Sequence, residues 1–504
     1  MKRKIIGIFV CMLLIATAVP AVMSVNNSEL KSTVQSAPLT SGPEDYLPVQ
    51  KLIASDGAYA DFFGMSVAVD GNYAIIGASG DDNALGEDAG AAYIFEYSGT
   101  NWGYVKTLYA SDGAVGDEFG GSVALDGDTA VVGAWKDDNS DGIDAGAAYV
   151  FKKVTTWNEE KKLTVGGPTG LFGGSVAISG NTIIIGAPDD NGITGAAYVY
   201  IRDTTWIFQK KLGDPDGSTS SRFGNSVDVD GDTFLIGAPW DYNPMPEPQN
   251  GSAFVFNRAD SWTWVKLMAW DHTGSGANFG HAVSLDDDTA LIDAPEVGQA
   301  YVFTHVGPSW EPQAILPHPD AAGLANYHPI SLSGDTALLG SYWSMDEVHV
   351  FSRTGTTWVE QQILLPIGGA TGIGFGVCVS LDGDTAFIGA RTGTGNVAMT
   401  GCAYVFERPV FQIDITGGIG VKATFTNIGN VNANNFPWQI KVDGTLLKTV
   451  AITKGGTTTI DVSLSDTQTT GFFLGLDFLN ITAQIGSTEK TAKGLIFFVW
   501  VIIF

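Results

Sequence analysis

The chain has 504 residues and a net charge of −28, with 26 basic and 54 acidic side chains. A surface this negative repels phosphates, which argues against nucleic acid as a partner. The 64 glycines and the short runs rich in Val, Ile, Thr and aromatic residues predict an all-β protein with more than one domain.

Residues 1–24 have the pattern of a secretory signal peptide. A basic start at Lys2 to Lys4 precedes an almost wholly apolar run from Ile5 to Ala18, and small residues follow up to Ser24. The sequence therefore predicts an exported protein, secreted or held at the cell surface. Residues 25–45 are predicted to be a linker.

From residue 46 to residue 409 the chain repeats a unit of about 52 residues. One copy extends from Phe119 to Leu163 and contains four predicted strands: a first after Phe-Gly, a second (TAVVGA), a third (GAAYVF) and a fourth from a tryptophan to a leucine. Asp-Gly or Ser-Gly pairs join the first two strands as tight turns. Seven such copies predict a seven-bladed β-propeller. A degenerate copy at 326–341 lacks the phenylalanine, which recurs at Phe63, Phe119, Phe172, Phe223, Phe279 and Phe375.

The seventh copy has no fourth strand of its own. It begins at Phe375 and ends at Phe406, and no tryptophan strand follows. The segment from Tyr46 to Leu52 has the spacing of a fourth strand, with tyrosine in place of tryptophan. We therefore expect this N-terminal strand to complete the last blade and close the ring, which removes an open sheet edge.

These repeats resemble the FG-GAP repeat family, which includes the propeller of integrin α-subunits and propellers of many exported microbial proteins. The resemblance rests on the Phe-Gly pairs at 119–120, 172–173 and 223–224 and on Gly-Ala-Pro at 186–188 and 237–239. It implies a propeller in which the phenylalanines pack between blades. It implies little about function, because propellers include both binding modules and enzymes.

The pattern changes after Pro409. Residues 410–504 are predicted to form an immunoglobulin-like β-sandwich of about seven strands. The chain ends in the apolar run GLIFFVWVIIF, which is too short to cross a bilayer as a helix. It is predicted to be a buried last strand, and attachment to the envelope or membrane is the alternative.

The longest and most acidic loops are predicted to lie on one face of the propeller. In an antiparallel blade the loops between strands two and three lie opposite the Asp-Gly turns, together with the links to the next blade. Variable loops on a rigid scaffold are where binding usually occurs. The residues predicted for this ligand face are Asp81, Asp82, Trp135, Asp137, Asp190 and Trp240.

One of these loops contains the first half of a calcium-loop pattern. Asp137, Asn139 and Asp141 alternate before a glycine, and Asp144 adds a fourth oxygen side chain. A weaker set is formed by Asp81, Asn83 and Asp88. In integrins the calcium loop joins the first two strands, where this chain has only Asp-Gly, so the resemblance assigns no calcium residues here. Calcium is the candidate cofactor, and solvated turn carboxylates are the alternative.

Two further features bear on chemistry. His281 and His328 align in the inner strands of adjacent blades, where a metal site or a general base is conceivable. Cys378 and Cys402 are predicted to be two strands apart, too far for a disulfide. No nucleophile elbow or phosphate loop occurs.

The leading hypothesis is therefore a non-catalytic, exported binding protein that presents acidic loops to a protein or glycan. A polysaccharide lyase or hydrolase and a structural envelope component are the alternatives.

Overall fold

The computed structural model contains seven four-stranded antiparallel sheets arranged as a propeller. It describes residues 45–167, 170–241, 251–271, 277–318, 329–341, 346–395 and 399–409, together with the backbone of strands between 411 and 503. The predicted signal peptide, nearly all of the predicted linker, and His328 lie outside the described residues. The all-β, seven-bladed prediction is confirmed.

Each of the first six blades contains four strands in chain order, from the inner strand to the outer strand. Blade 1 consists of β2 (Ser66–Asp70), β3 (Tyr73–Ala78), β4 (Ala91–Tyr97) and β5 (Trp102–Leu108), and blade 2 of β6 (Ser122–Asp126), β7 (Thr129–Ala134), β8 (Ala147–Lys153) and β9 (Trp157–Leu163). Blade 3 consists of β10 (Ser175–Ser179), β11 (Thr182–Ala187), β12 (Ala196–Arg202) and β13 (Trp206–Leu212), and blade 4 of β14 (Val227–Asp230), β15 (Thr233–Ala238), β16 (Ser252–Asn257) and β17 (Thr263–Leu267).

Blades 5 and 6 follow the same order, whereas the outer strand of blade 7 is the first strand of the chain. Blade 5 consists of β18 (Val283–Asp286), β19 (Thr289–Ala294), β20 (Gln299–Val306) and β21 (Ser309–Pro317), with a short 3-10 turn at Pro295–Val297. Blade 6 consists of β22 (Ile330–Ser333), β23 (Thr336–Gly340), β24 (Val348–Thr354) and β25 (Thr357–Leu364). Blade 7 consists of β26 (Phe375–Asp382), β27 (Thr385–Ala390), β28 (Cys402–Glu407) and β1 (Leu47–Leu52).

The N-terminal strand closes the ring as predicted. Strand β1 pairs antiparallel with β28, with Leu47 opposite Glu407 and Leu52 opposite Ala403. Tyr46, at the tryptophan position, is fully buried and donates its hydroxyl hydrogen to the carbonyl of Gly383. The last blade therefore has the same four strands as the others.

The apolar core consists of clusters between neighbouring blades. One cluster combines Ile75 and Ile94 of blade 1 with Phe119, Tyr149 and Trp157 of blade 2. The repeated phenylalanines are all fully buried, and their rings contact the aromatic side chains of strand three edge to face, as with Phe119 and Tyr149 at 5.5 Å. The prediction that the repeated phenylalanines pack between blades is confirmed.

Glycine follows these phenylalanines because the backbones of two blades meet there. Gly120 has a φ of +92°, and a Cβ at this position would lie 2.2 Å from the carbonyl oxygen of Ala91. Only glycine tolerates both conditions. In each Phe-Gly pair, the phenylalanine therefore packs between two blades and the glycine lets their backbones come close together.

The turns between strands one and two connect each blade to the next. The last side chain of strand one, an Asp or Ser, accepts a hydrogen bond from a backbone N–H in the neighbouring turn, as Asp70 does from Gly127. The same bond occurs at all seven blade junctions. The pairs, with the N–H donor first, are Gly71 with Asp382, Gly127 with Asp70, Gly180 with Asp126, Gly231 with Ser179, Asp287 with Asp230, Gly334 with Asp286 and Gly383 with Ser333. These aspartates are therefore inter-blade connectors as well as turn residues.

A second, partial set of connections lies further along the inner strands. Asp228 accepts a hydrogen bond from the N–H of Leu285 in the next blade at 2.7 Å. Serines have this role in the following blades: Ser284, Ser331 and Ser380 accept from Leu332, Leu381 and Val69. Asp228 is thus the acidic member of a set that otherwise uses serine.

Beyond residue 409 the backbone forms one eight-stranded sheet in the order β32-β31-β34-β35-β36-β29-β30-β33. The run GLIFFVWVIIF contributes to the last two strands, and its burial stays a prediction, as does the immunoglobulin-like arrangement of residues 410–504. The strands are β29 (Phe411–Gly418), β30 (Gly420–Asn427), β31 (Trp438–Val442), β32 (Thr445–Lys448), β33 (Thr457–Val462), β34 (Asp477–Ile485), β35 (Thr488–Phe497) and β36 (Trp500–Ile503).

Across the described residues, no helix has the length and apolarity needed to span a bilayer.

Candidate functional site

The loops between strands two and three lie beside the links that lead from strand four to the next blade. The link into blade 2 hydrogen-bonds to the blade 1 loop through Gly116 N to Glu87 O, 3.0 Å, and Glu118 N to Asp88 O, 3.1 Å. We call this side of the propeller the loop face. The opposite side contains the turns between strands one and two and between strands three and four, and we call it the turn face.

The loop between Trp135 and Gly146 is organised around the buried carboxylate of Asp137, which is 1% exposed. One of its oxygens accepts the hydroxyl of Tyr149 at 2.6 Å. The ammonium of Lys162 lies 2.8 and 3.0 Å from the two oxygens. Asn139 adds an amide donor at 2.8 Å. Asp137 is thus satisfied by three side chains of its own blade.

The rest of this loop is a turn stabilised by its own polar side chains. Asn139 accepts the N–H of Asp141 at 2.8 Å through Oδ1 and donates to the carbonyl of Gly146 at 3.0 Å. The N–H of Asp144 donates to Asp138 at 2.8 Å. Asp141 accepts the N–H of Gly166 in the next link at 2.9 Å.

These contacts match a self-paired turn better than a calcium shell. Lys162 places a positive charge against the oxygens that a calcium ion would need, and the side-chain oxygen of Asn139 is directed to a backbone N–H. Within the part of the chain that the structure describes, no three Asp, Glu, His or Cys side chains converge closely enough to hold a metal ion. Calcium binding by Asp137, Asn139, Asp141 and Asp144 stays a prediction.

Asp137 belongs to a polar cluster of four positions that recurs in several blades. In blade 2 the fourth member is Asp112, in the link from blade 1. Its carboxylate accepts from Tyr149 and Lys162, each at 2.8 Å. The equivalent positions are Asp56, Asp81, Tyr93 and Thr107 in blade 1, Gly167, Asp190, Tyr198 and Lys211 in blade 3, and Asp216, Asp241, Phe254 and Lys266 in blade 4.

The clusters of blades 1 and 2 differ in whether an ammonium lies beside their carboxylates. In blade 2, burial acts to raise the pKa of Asp112, but the hydrogen bonds from Lys162 and Tyr149 outweigh it and the pKa is lowered. In blade 1, threonine replaces the lysine, and burial raises the pKa of Asp81 although Asn83 and Tyr93 donate to it. Without a nearby ammonium, desolvation of the carboxylate dominates.

The weaker calcium set in blade 1 has the same internal pairing. Asn83 donates to Asp81 at 3.1 Å, and Tyr93 donates to the other oxygen of Asp81 at 2.9 Å. The exposed Asp82 accepts the N–H of Asp88 at 2.9 Å. Calcium binding by Asp81, Asn83 and Asp88 likewise stays a prediction.

The predicted aromatic residues of the ligand face are partly exposed and lie near cations. The guanidinium of Arg222 lies 3.9 Å from the ring centroid of Trp240. The ammonium of Lys136 lies 4.5 Å from that of Trp135. Residues 242–250 of the loop that follows Trp240 lie outside the described residues.

His328 lies outside the described residues, so its pairing with His281 stays a prediction. His281 lies at the start of blade 5, where its N–H donates to the carbonyl of Asn278. Cys378 and Cys402 are free thiols, as the strand spacing predicted.

Among the described residues, cavities open along the loop face and the blade rims. One of about 480 Å³ lies between blades 1 and 2, beside Leu85, Tyr109 and Phe151. Another, of about 430 Å³, lies beside Gly167, Asp190 and Lys211 of blade 3. The second cavity therefore adjoins one of the polar clusters.

Aspartates recur four residues after the last leucine of strand four, and local turn chemistry alone would have each of them cap its own turn. The structure instead directs Asp56, Asp112 and Asp271 to tyrosine hydroxyls of the next blade, at 3.1, 2.8 and 2.8 Å. Their regular spacing relative to the repeat was the signal available in the sequence. A partner in the next blade was not apparent from local turn chemistry.

The FG-GAP repeat model matches residues 47–95, 102–151, 157–200, 206–256 and 358–406. Each matched segment covers an outer strand and the first three strands of the following blade. The chain belongs to the FG-GAP repeat family. The two unmatched copies of this FG-GAP propeller lie between 257 and 357, where the phenylalanine is lost once. No curated protein matches the chain.

Proposed function

We propose that this FG-GAP protein is an exported, non-catalytic binding protein. The loop face of its propeller holds a protein or glycan at the cell surface, and the C-terminal β region tethers it. Calcium bound by the acidic loops would assist the contact. The fold is compatible with this role, since a propeller presents variable loops on a rigid ring.

The observation that supports the loop face is the distribution of exposed apolar side chains. Among the described residues, thirteen large exposed apolar side chains lie on the loop face, eight on outer strands and two on the turn face. Exposed apolar groups gathered on one side of a molecule favour an interaction surface there. The thirteen are Ile53, Tyr59, Leu85, Tyr109, Val115, Ile143, Ile193, Trp240, Met268, Trp270, Leu365, Ile367 and Met399.

These side chains lie among carboxylates, which gives the face a mixed character. The exposed Asp82, Asp138 and Asp144 lie in the same loops as Leu85 and Ile143. Apolar anchors within a polar surround are typical of protein and glycan interfaces. The turn face, in contrast, is closed by backbone and carboxylate hydrogen bonds between blades.

The test is binding of the purified, fluorescently labelled chain to intact cells of its source. A variant with Val115→Ser, Ile143→Ser and Trp240→Ser is expected to lose at least about tenfold in affinity, because each replacement removes an exposed apolar anchor. The melting temperature should change little, since exposed positions contribute little to folding.

The matched control replaces the two turn-face residues, Val154→Ser and Val306→Ser. It should bind cells as the parent chain does. Equal loss in both variants, or full binding by the loop-face variant, would overturn the assignment of the face.

A further inference from the structure

In blades 2 and 4 a lysine of the outer strand lies between two carboxylates. The ammonium of Lys162 is 2.8 Å from Asp112 and 2.8 Å from Asp137. The ammonium of Lys266 is 2.5 Å from Asp216 and 2.6 Å from Asp241. In both blades one carboxylate comes from the loop and the other from the link that enters the blade.

Blade 3 keeps the lysine and lacks the second carboxylate. Lys211 is 2.7 Å from Asp190, its loop partner. The link position that holds Asp112 in blade 2 is Gly167 here. The Lys211 side chain is 49% exposed, against 21% for Lys162 and 15% for Lys266. The ammonium therefore has room for a second anionic partner.

A cavity of about 430 Å³ opens beside that ammonium. Its lining includes Gly166, Gly167, Asp190, Tyr198, Phe208 and Lys211. The two glycines contribute no side chains, and a Cβ on Gly167 would have no atom within 4 Å. The space is thus where the repeat elsewhere places a carboxylate.

We infer that this cavity binds the carboxylate of a uronic acid residue in a glycan, with Lys211 as its ionic partner. The inference rests on the proposed function, since it names the glycan class that the surface would hold. Blade 2 supplies the geometry, because its ammonium and tyrosine hydroxyl both donate to the second carboxylate. Charge-assisted hydrogen bonds of this kind are among the strong ones.

The aromatic wall favours a sugar over an acidic side chain of a protein. Phe208 is 54% exposed, and its ring packs against Tyr198 and Tyr200 at centroid distances of 6.3 and 5.8 Å. Small-ligand sites combine such apolar walls with a few polar groups that fix orientation. A pyranose ring beside Phe208 would place its carboxylate toward Lys211.

Charge limits the ligand to an isolated uronate within a neutral glycan. Asp190 already neutralises Lys211, and Asp141 adds negative charge at the edge through its bond to Gly166 N. The whole chain has a net charge of −28, so a dense polyanion would be repelled at long range. Blades 2 and 4 show that the fold accepts two carboxylates around one such lysine.

The experiment titrates the full chain with methyl β-D-glucuronide and methyl β-D-glucoside by calorimetry. The glucuronide is expected to bind at least about tenfold more tightly, since only it supplies a carboxylate for the ammonium. Lys211→Met should remove this preference. Equal binding of the two sugars, or no binding of either, would overturn the inference.

A second variant fills the site from the protein side. Gly167→Asp recreates the link carboxylate of blade 2 and is expected to abolish glucuronide binding with the melting temperature kept. Thr204→Asp is the matched control, because it adds the same charge to an exposed turn on the opposite face and should bind normally. Retained binding by Gly167→Asp would contradict the inference.

Two further outcomes separate the hypotheses. Tighter binding of an acetylated glutamate peptide than of the glucuronide would overturn the sugar assignment in favour of a protein carboxylate. Failure of the glucuronide with intact, loop-face-dependent cell binding would overturn this inference alone and leave the proposed function standing.

Discussion

The two faces of the propeller are built from the same repeat, but only the turn face has the same contact in every blade. On the turn face, every blade uses one Asp or Ser to bind the next turn, so the same hydrogen bond occurs around the whole ring. On the loop face, the equivalent loops differ in length, charge and exposed apolar side chains. The turn face thus repeats one contact in every blade, whereas the exposed loops of the loop face vary from blade to blade.

The largest loss of stability is expected from a change in the apolar core between blades. Phe119→Ala should lower the free energy of unfolding by about 3–5 kcal/mol, because it removes a fully buried ring between blades 1 and 2. Denaturant unfolding measures it. Ile143→Ala, on the loop face, is the control and should stay within about 0.5 kcal/mol of the parent. Similar losses in the two variants would mean that the loop face is structural.

The next largest loss of stability is expected from a buried lysine of the loop face, compared with an equivalent lysine that is half-exposed. Lys162→Met should cost about 3 kcal/mol, because it leaves the buried Asp137 without its ammonium partner. Lys211→Met should cost about 1 kcal/mol or less, since that lysine is half-exposed and has one carboxylate partner. Urea midpoints compare the two. A larger loss for Lys211 would contradict the distinction between the blades.

A smaller effect tests the ring on the turn face. Asp126→Ala should cost about 1–2 kcal/mol, because the N–H of Gly180 loses its acceptor. Asp126→Ser should cost less, since Ser179 has the same role in the next blade. Thermal unfolding of both variants measures the difference, and equal losses would contradict the shared role of Asp and Ser at this position.

The pH dependence of stability tests the inner strands. Burial raises the pKa of Asp228 to about 7, despite hydrogen bonds from Leu285 and Val229 that act to lower it. The folded chain therefore holds a proton that the unfolded chain releases above the ordinary pKa of 3.8. The stability from this group is complete below that value and is lost as the pH rises through 7.

Asp228→Ser copies the serines of the following blades and removes this titration. Relative to the variant, the parent chain should lose stability between pH 5 and pH 8, as measured by urea unfolding at each pH. A constant difference between parent and variant across that range would rule out the titration of Asp228.

The smallest effect is expected from calcium. Because Asp137 and Asn139 are already paired within the loop, saturating calcium should raise the melting temperature by at most a few degrees relative to EDTA. Asp144→Asn is the informative variant, since its exposed carboxylate has no role in the Asp137 pairing. A shift of more than about ten degrees would mean that the loop rearranges around the ion.

The sequence predicted the blade count, the strand pattern and the closing strand, because each depends on spacing that the repeat displays seven times. It did not predict the partners of the acidic side chains. Asp137 resembles the first residue of a calcium loop, but Lys162, 25 residues further along, occupies its oxygens. Asp112 resembles a turn cap, but its tyrosine partner is 37 residues away in the next blade. Those partners depend on the placement of one strand beside another, which local patterns do not encode.

Closure by the first strand also has a consequence for folding. Tyr46 hydrogen-bonds in both directions with Gln362, 316 residues further along the chain. During synthesis, the N-terminal strand must therefore wait for the sixth and seventh blades before its edge is paired. Contacts so distant in sequence form slowly, and an unpaired edge strand is prone to pairing with other chains. Misassembly with other chains is therefore most favoured before the N-terminal strand has paired and closed the ring.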